Sequence, residues 1–155
     1  MKRIVYLVRH ARATERDGWT RPDRLRPLSP AGDDQAARLV RSLRVGRIDR
    51  LVSSPAVRCV ETFRPFAVAG HLRIQRDPAL AEGGSAARAL KLIRATRGRP
   101  ALCSHGDVIE KLLERLRADG VRLHGGLRLP KASIWVLELD EGGDVIGASY
   151  RPPPV

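Results

Sequence analysis

The chain has 155 residues, of which 43% are hydrophobic, and this size fits one globular domain with an apolar core. Its net charge of +12 raises the question of nucleic-acid binding, but the basic residues are spread along the chain and aromatic residues make up only 4%. We therefore expect no specific nucleic-acid partner. No segment resembles a signal peptide or reaches membrane-spanning length, which favours a cytoplasmic protein without a membrane partner.

Hydrophobic residues alternate along the chain between strand-like and helix-like spacing. Strands are predicted at 3–8, 48–54, 71–75, 100–104, 132–140 and 145–150, and helices at 30–44, 55–69, 85–97 and 106–118. Ser29 is the predicted N-cap of the first helix, and Pro65 is expected to kink or end the second. The alternation predicts an α/β three-layer sandwich with a mainly parallel central sheet, helices on both faces and an antiparallel edge strand.

Residues 1–150 are predicted to form this single domain, followed by a flexible tail at 151–155. The polar connection over residues 10–29 is longer than most strand-to-helix loops, and loops of that length often carry function. The two cysteines, Cys59 and Cys103, lack the spacing of metal ligands and are predicted to be buried, reduced thiols. We predict no metal and no other cofactor.

Ionisable residues follow three of the predicted parallel strands. Arg9 and His10 end the first strand, Arg58 lies on the first turn of the helix after the second, and His105 ends the fourth. A single pair of charges at a strand end could simply mark the start of a loop, but the carboxyl ends of parallel strands meet at one edge of a sheet. A neutral imidazole can attack phosphorus while guanidinium groups hold the phosphoryl oxygens, so the set predicts phosphoryl transfer without a metal.

Four stretches in the same order resemble the histidine phosphatase superfamily, also called phosphoglycerate mutase-like. The stretch "VRHA" is similar to its Arg-His-Gly signature, with Ala11 in place of glycine. It is followed by "RPLSPAGDDQA", "SSPAVRCVET" and "SHGDVI", which are similar to the family's later motifs. The resemblance covers nearly the whole chain.

The resemblance implies that His10 is the nucleophile that becomes phosphorylated and that Arg9, Arg58 and His105 form the phosphate pocket, with His105 also acting in catalysis. In "DPALAEGGS" it implies Glu82 as the proton donor, although Glu82 could merely favour the start of the helix at 85. The other histidines, His71 and His124, match no motif and are predicted to be structural or solvated.

Two features separate the chain from other members that it resembles. Arg12 and Ala13 replace the residues that usually follow the signature, and the chain has no room for insertions that enclose a sugar phosphate. Its short Arg-His-Ala start, the "RPLS" element with Arg26 and the compact chain look most like the SixA branch, which implies a phosphatase acting on a phosphohistidine carrier protein. The alternatives are a phosphatase for nucleotides or other small phosphorylated metabolites, and a non-catalytic module that binds phosphate ligands. Arg12 and Arg26 are candidate substrate contacts, or solvent-facing arginines.

Overall fold

The computed structural model describes residues 2–44 and 47–155. Its strands are β1 (Arg3–Arg9), β2 (Arg50–Ser53), β3 (Ile74–Arg76), β4 (Pro100–Ser104), β5 (Leu123–His124), β6 (Ile134–Leu139) and β7 (Val145–Arg151). Its α-helices are α1 (Pro30–Leu43), α2 (Val57–Gly70), α3 (Ala86–Ala95) and α4 (Gly106–Ala118), with short 3-10 turns at Asp23–Leu25 and Pro78–Leu80. The predicted alternation of strands and helices is confirmed.

The seven strands form one sheet in the order β3-β2-β4-β1-β6-β7-β5. The first four strands in this order are parallel, whereas β6 runs antiparallel to both β1 and β7. Helices α1 and α2 contribute to the hydrophobic cluster on one face, and α3 and α4 to the cluster on the other. The predicted three-layer α/β architecture with a mainly parallel sheet is therefore confirmed.

Local capping and burial explain most element boundaries. Ser29 caps α1 as predicted, since its hydroxyl accepts a hydrogen bond from the Gly32 N–H at 3.1 Å. The second helix does not end at Pro65 but continues to Gly70. Phe63 and Phe66 flank the proline and are both fully buried, so tertiary packing continues the helix past it.

The sheet edges differ from the prediction in two places. The predicted hairpin of β6 and β7 is present, but β7 is not an edge strand, because β5 pairs with it in parallel. Two residues are too few to give β5 a periodic signal. Strand β3 begins at Ile74 and not at 71, because His71 ends α2 in the left-handed conformation with φ 53°.

The end of the chain continues the sheet by one residue beyond the predicted boundary. Arg151 is the last residue of β7, and its guanidinium lies 5.7 Å from the centre of the Tyr6 ring. The flexibility of the residues after it stays a prediction. Cys59 and Cys103 are buried free thiols, as predicted. Over the described ranges, no helix combines the length and apolar character needed to cross a membrane.

Candidate active site

The register of the parallel strands brings the predicted site residues to one edge of the sheet. Arg9 at the end of β1 pairs with Ser104 at the end of β4, so the next residues, His10 and His105, leave neighbouring strands side by side. Their rings meet edge to face with centroids 5.4 Å apart. Arg58 on the first turn of α2 is in hydrogen-bond contact with His105, and only 1% of its surface is exposed.

The hydrogen bond of His10 fixes which ring nitrogen can react. Its Nδ1 lies 2.7 Å from the carbonyl oxygen of Ala11. Because a carbonyl can only accept, Nδ1 carries the proton and the neutral ring has its lone pair on Nε2. Burial is the main cause that lowers the pKa of His10 to about 3. The hydrogen bond to the Ala11 carbonyl opposes it, and the charges of His105, Arg58 and Arg9 each add a smaller decrease. His10 is therefore neutral near pH 7.

Arg58 is the most extensively bonded side chain of the site. Its Nη1 donates to the carbonyl of Asp23 at 3.0 Å, and its Nη2 lies 3.1 Å from the Asp23 carboxylate, 3.2 Å from Glu82 and 3.3 Å from Nδ1 of His105. The Nε of Arg58 is buried without a hydrogen-bond partner among the described residues. That N–H is the kind of unsatisfied donor that an anion would satisfy.

His105 is held in one tautomer by its two neighbours. Arg58 can only donate, so Nδ1 of His105 accepts and the ring proton lies on Nε2. This Nε2 lies 2.8 Å from the hydroxyl oxygen of Ser54 and 3.6 Å from the thiol of Cys59. The ring plane is therefore fixed from both sides, with His105 2% exposed.

The side chain of Arg9, at the end of β1, packs against Gly106 at the start of α4, where a larger residue would collide with it. A Cβ atom added to Gly106 would lie 2.9 Å from Cζ of Arg9. The Arg9 guanidinium donates to the carbonyl of Leu129, while its Nε is buried and unpaired in the part of the chain that the structure describes. Burial lowers the pKa of Arg9, and the nearby Asp107 carboxylate opposes this effect.

The long connection at residues 10–29 is folded and closed at its neck. Ala13 and Leu28 form an antiparallel bridge, and the N–H of Thr14 donates to the Pro27 carbonyl at 3.0 Å. Inside the loop, Arg26 donates to the Thr14 carbonyl at 2.6 Å. These contacts hold the segment that delivers Asp23 to Arg58.

The two candidate substrate contacts occupy different environments. Arg26 is 7% exposed, and its Nε also donates to the Asp23 carboxylate at 3.0 Å, so its guanidinium is committed to the loop. Arg12 is exposed, and its backbone carbonyl lies so close to Gly32 that an added Cβ would approach to 1.8 Å. A substrate contact by either arginine stays a prediction.

Glu82 lies beside the pocket and not on the first turn of α3. One of its carboxylate oxygens contacts Arg58, and the other lies 3.8 Å from Arg16. The start of α3 is capped by Ser85, whose hydroxyl accepts from the Arg88 N–H at 3.1 Å. The hydrogen-bonding cap of α3 is thus Ser85 and not Glu82, and the role of Glu82 as a proton donor stays a prediction.

Three further residues of the site had no assigned role in the sequence analysis. Thr62 accepts from the Ala11 N–H at 2.9 Å and donates to the Arg58 carbonyl at 2.7 Å, which ties the end of β1 to α2. Ser54 and Thr62 are both polar positions of the "SSPAVRCVET" stretch, so that motif held a signal for them. Asp23 had no such signal, because only the folding of the loop brings it to Arg58.

Asp23 is a carboxylate partner of the arginines with a lowered pKa. Burial acts to raise its pKa, but the hydrogen bond from Arg26 and the charges of Arg58, Arg26 and Arg16 together lower it. The carboxylate therefore stays ionised and holds Arg58 in place. Within the described ranges, no group of three or more histidine, cysteine, aspartate or glutamate residues is arranged to hold a metal ion.

Comparison with known proteins identifies the family of the chain. The family model for the histidine phosphatase superfamily (branch 1) matches residues 5–86, which is more than half of the chain. The chain therefore belongs to the histidine phosphatase superfamily, as the four motifs predicted.

The fold is similar to solved structures of SixA proteins. SixA from Agrobacterium tumefaciens, assigned as a phosphohistidine phosphatase, superposes with a TM-score of 0.72 at 26% identity, covering 88% of this chain and 92% of that one. The protein histidine phosphatase SixA in complex with tungstate gives a TM-score of 0.70 at 21% identity, covering 97% and 96% of the two chains.

One curated relative is named for a nucleotide substrate and not for phosphohistidine. An 8-oxo-(d)GTP phosphatase from Mycolicibacterium smegmatis is 33% identical over 166 aligned residues, which cover 98% of this chain and 49% of the relative. The chain thus spans about half the length of that relative.

Proposed function

We propose that the chain is a phosphatase that works through a phosphohistidine on His10 and needs no metal. The observation that carries this proposal is the state of the His10 ring, because its Nδ1 proton is held by the Ala11 carbonyl and its Nε2 is left as a free nucleophile. As the bond from Nε2 to phosphorus forms, the bond from phosphorus to the leaving group breaks. Water then attacks the phosphohistidine, releases inorganic phosphate and restores His10.

The positive charge that a metal would otherwise supply comes from Arg9 and Arg58. Each has a buried Nε–H without a hydrogen-bond partner within the described residues, so each has a donor left for a phosphoryl oxygen. His105 contacts the guanidinium of Arg58. Helix α4 begins at Gly106, directly after His105, and adds the positive end of its dipole to the site. These groups would stabilise the charge on the transferring phosphoryl group.

The two carboxylates near Arg58 receive different roles in this proposal. Asp23 has a lowered pKa and stays charged, so it is a positioning residue for Arg58. Glu82 contacts Arg58 and has about half of its side-chain surface exposed, so its carboxylate can exchange protons with solvent. We therefore assign the proton that the leaving group takes up to Glu82.

Two substrate classes fit this site. A phosphohistidine carrier protein is supported by the structural similarity to SixA proteins. A nucleotide is supported by the relative that is an 8-oxo-(d)GTP phosphatase, to which this chain is 33% identical. Both would pass through the same intermediate on His10.

Trapping the intermediate tests the shared chemistry. Wild type mixed briefly with a radiolabelled aryl phosphate and then denatured should carry a label that is stable in base and labile in acid. His10→Ala should carry none and should lose at least about a thousandfold in turnover, as loss of a catalytic nucleophile does. His124→Ala, which changes an exposed histidine on β5, is the matched control and should behave as wild type.

Two results would reject the proposal. Undiminished hydrolysis by His10→Ala would exclude the covalent mechanism. Binding of phosphate with no turnover of an aryl phosphate, a nucleotide or a histidine-phosphorylated carrier protein would identify a binding module instead.

A further inference from the structure

A cavity lies beside Arg58 on the side of the 10–29 loop. Its volume is about 410 Å³, and it is lined by Arg16, Trp19, Arg21, Asp23 and Glu82. Asp23 and Glu82 both contact Nη2 of Arg58, so the cavity begins where the phosphate pocket ends. Arg58 connects the cavity to His105, whose ring lies against that of His10.

Trp19 gives the cavity a fixed aromatic wall. Its indole N–H donates to the Pro22 carbonyl at 3.1 Å, and its backbone N–H donates to the Arg16 carbonyl at 3.1 Å. Trp19 belongs to none of the three hydrophobic clusters of the described residues, whereas Trp135 is 1% exposed in the main core. Core packing therefore accounts for Trp135 but not for Trp19.

The two arginines of the cavity have bonding capacity left. Arg21 makes no hydrogen bond or ion pair with any residue that the structure describes. Arg16 lies 3.6 Å from Asp23 and 3.8 Å from Glu82, and 69% of its side chain is exposed. Their charges are available to an anion, in contrast to that of the buried Arg26, which is paired within the loop.

We propose that this cavity is the leaving-group subsite and that it takes a nucleoside di- or triphosphate. The proposal rests on the proposed function, because the terminal phosphoryl group is placed at His10. The next phosphate would then bind Arg21 and Arg16, and the base would stack on Trp19. A phosphohistidine also offers a flat ring, but it carries no second anionic group for Arg21.

Two single substitutions and a matched control test the subsite. Steady-state kinetics are measured with guanosine diphosphate, adenosine diphosphate and phenyl phosphate, which has a ring but no second anion. Arg21→Ala should raise KM for both diphosphates about tenfold, as expected for loss of a charge-assisted contact, and should change phenyl phosphate much less. Arg24→Ala removes another exposed arginine of the same loop that does not line the cavity, and it should leave the diphosphate preference unchanged.

Substitution of Trp19 separates stacking from loop support. Trp19→Ala should raise KM for the diphosphates about tenfold, which is the size of base stacking on an aromatic side chain. Trp19→Phe loses the hydrogen bond to Pro22 but keeps a flat ring. Because stacking needs only the ring, this variant should retain most of the diphosphate affinity. If Trp19→Ala disturbs folding, the phenylalanine variant and the exposed Arg21 still decide the question.

The outcomes keep this inference apart from the proposed function. Unchanged KM for diphosphates in both Arg21→Ala and Trp19→Ala would overturn the subsite, and so would a wild type that neither binds nor hydrolyses either diphosphate. Turnover of phenyl phosphate that depends on His10 would still support the phosphatase proposal in both cases. If Arg21→Ala and Trp19→Ala impair turnover of a histidine-phosphorylated carrier protein more than turnover of the diphosphates, the subsite serves a protein substrate and not a nucleotide.

Discussion

The pocket floor and the pocket rim are built on different principles. The floor consists of Arg9, His10, Arg58 and His105, and the rim consists of Arg16, Trp19, Arg21 and Glu82. The floor residues end or follow strands or lie at helix starts, and His10, Arg58 and His105 are 6%, 1% and 2% exposed. The rim residues lie in loops, and the side chains of Arg16 and Glu82 are 69% and 49% exposed. In this site the sheet fixes the atoms that would react, while the loops provide the groups that would select a substrate.

Replacing a floor arginine should have the largest effect among the changes considered below. Arg58→Lys keeps the charge but loses the planar fork that meets Asp23, Glu82 and His105, and turnover of every substrate should fall about a hundredfold. Because Arg58 is buried, the melting temperature should fall as well. Arg64→Lys on the same helix, at a side chain that is 60% exposed, is the control and should change neither quantity. Full turnover by Arg58→Lys would show that the Arg58 guanidinium does not bind the transferring phosphoryl group.

A rim carboxylate should matter for some substrates and not for others. Glu82→Gln should slow hydrolysis of an alkyl phosphate about a hundredfold, because its leaving group needs a proton, and should barely affect a nitrophenyl phosphate. Glu110→Gln, at an exposed position of α4, provides the comparison. Equal losses on both substrates would instead mean that Glu82 acts by holding Arg58.

A single methyl group should test how tightly the floor is packed against its neighbours. Gly106→Ala places a Cβ atom 2.9 Å from Cζ of Arg9, so the flexible side chain must move while the backbone stays. A misplaced phosphate-binding group should lower kcat/KM about tenfold or more with little change in melting temperature. Gly147→Ala, where the added Cβ has only ordinary contacts, should leave kcat/KM unchanged. A stable Gly106→Ala variant with full activity would show that Arg9 does not need this position.

The smallest effect is a dependence of stability on pH that originates at the floor. Burial lowers the pKa of His10 to about 3, so between that value and its ordinary value the unfolded chain binds a proton that the folded chain does not. Stability should then fall as the pH falls through this window, by at most about 1.4 kcal/mol per pH unit from this one residue. Urea unfolding between about pH 7 and about pH 5 should show a steeper loss for wild type than for His10→Ala. An NMR titration in which His10 is already protonated at pH 6 would contradict this account.

The floor could be predicted because it depends on patterns that are local in sequence. Arg9, His10 and His105 follow hydrophobic runs that are recognisable as strands, and parallel strands must bring their ends to one edge. Arg58 follows from the same rule, since it lies one turn into the next helix. The four residues were named from strand ends and motifs, and the structure brings them together.

The rim and the sheet edge depend on interactions between distant segments and left less signal. Asp23 reaches Arg58 across 35 positions in sequence, through a loop whose shape no periodicity describes. The two-residue strand β5 and the continuation of α2 through Pro65 are likewise decided by neighbours in space. Tertiary packing outweighed the local preference of proline in the second case.

The closed neck of the 10–29 loop has a consequence for how such a protein can diversify. The Ala13–Leu28 bridge and the Thr14–Pro27 hydrogen bond hold the two ends of the loop together below Arg16, Trp19 and Arg21. A segment of different length could therefore be exchanged between residues 15 and 21 without moving β1, α1 or Asp23, which contacts Arg58. Lengthening a loop whose ends are already joined costs little conformational entropy. New substrate ranges can thus arise by loop exchange, while the nucleophile and its phosphate pocket are inherited unchanged.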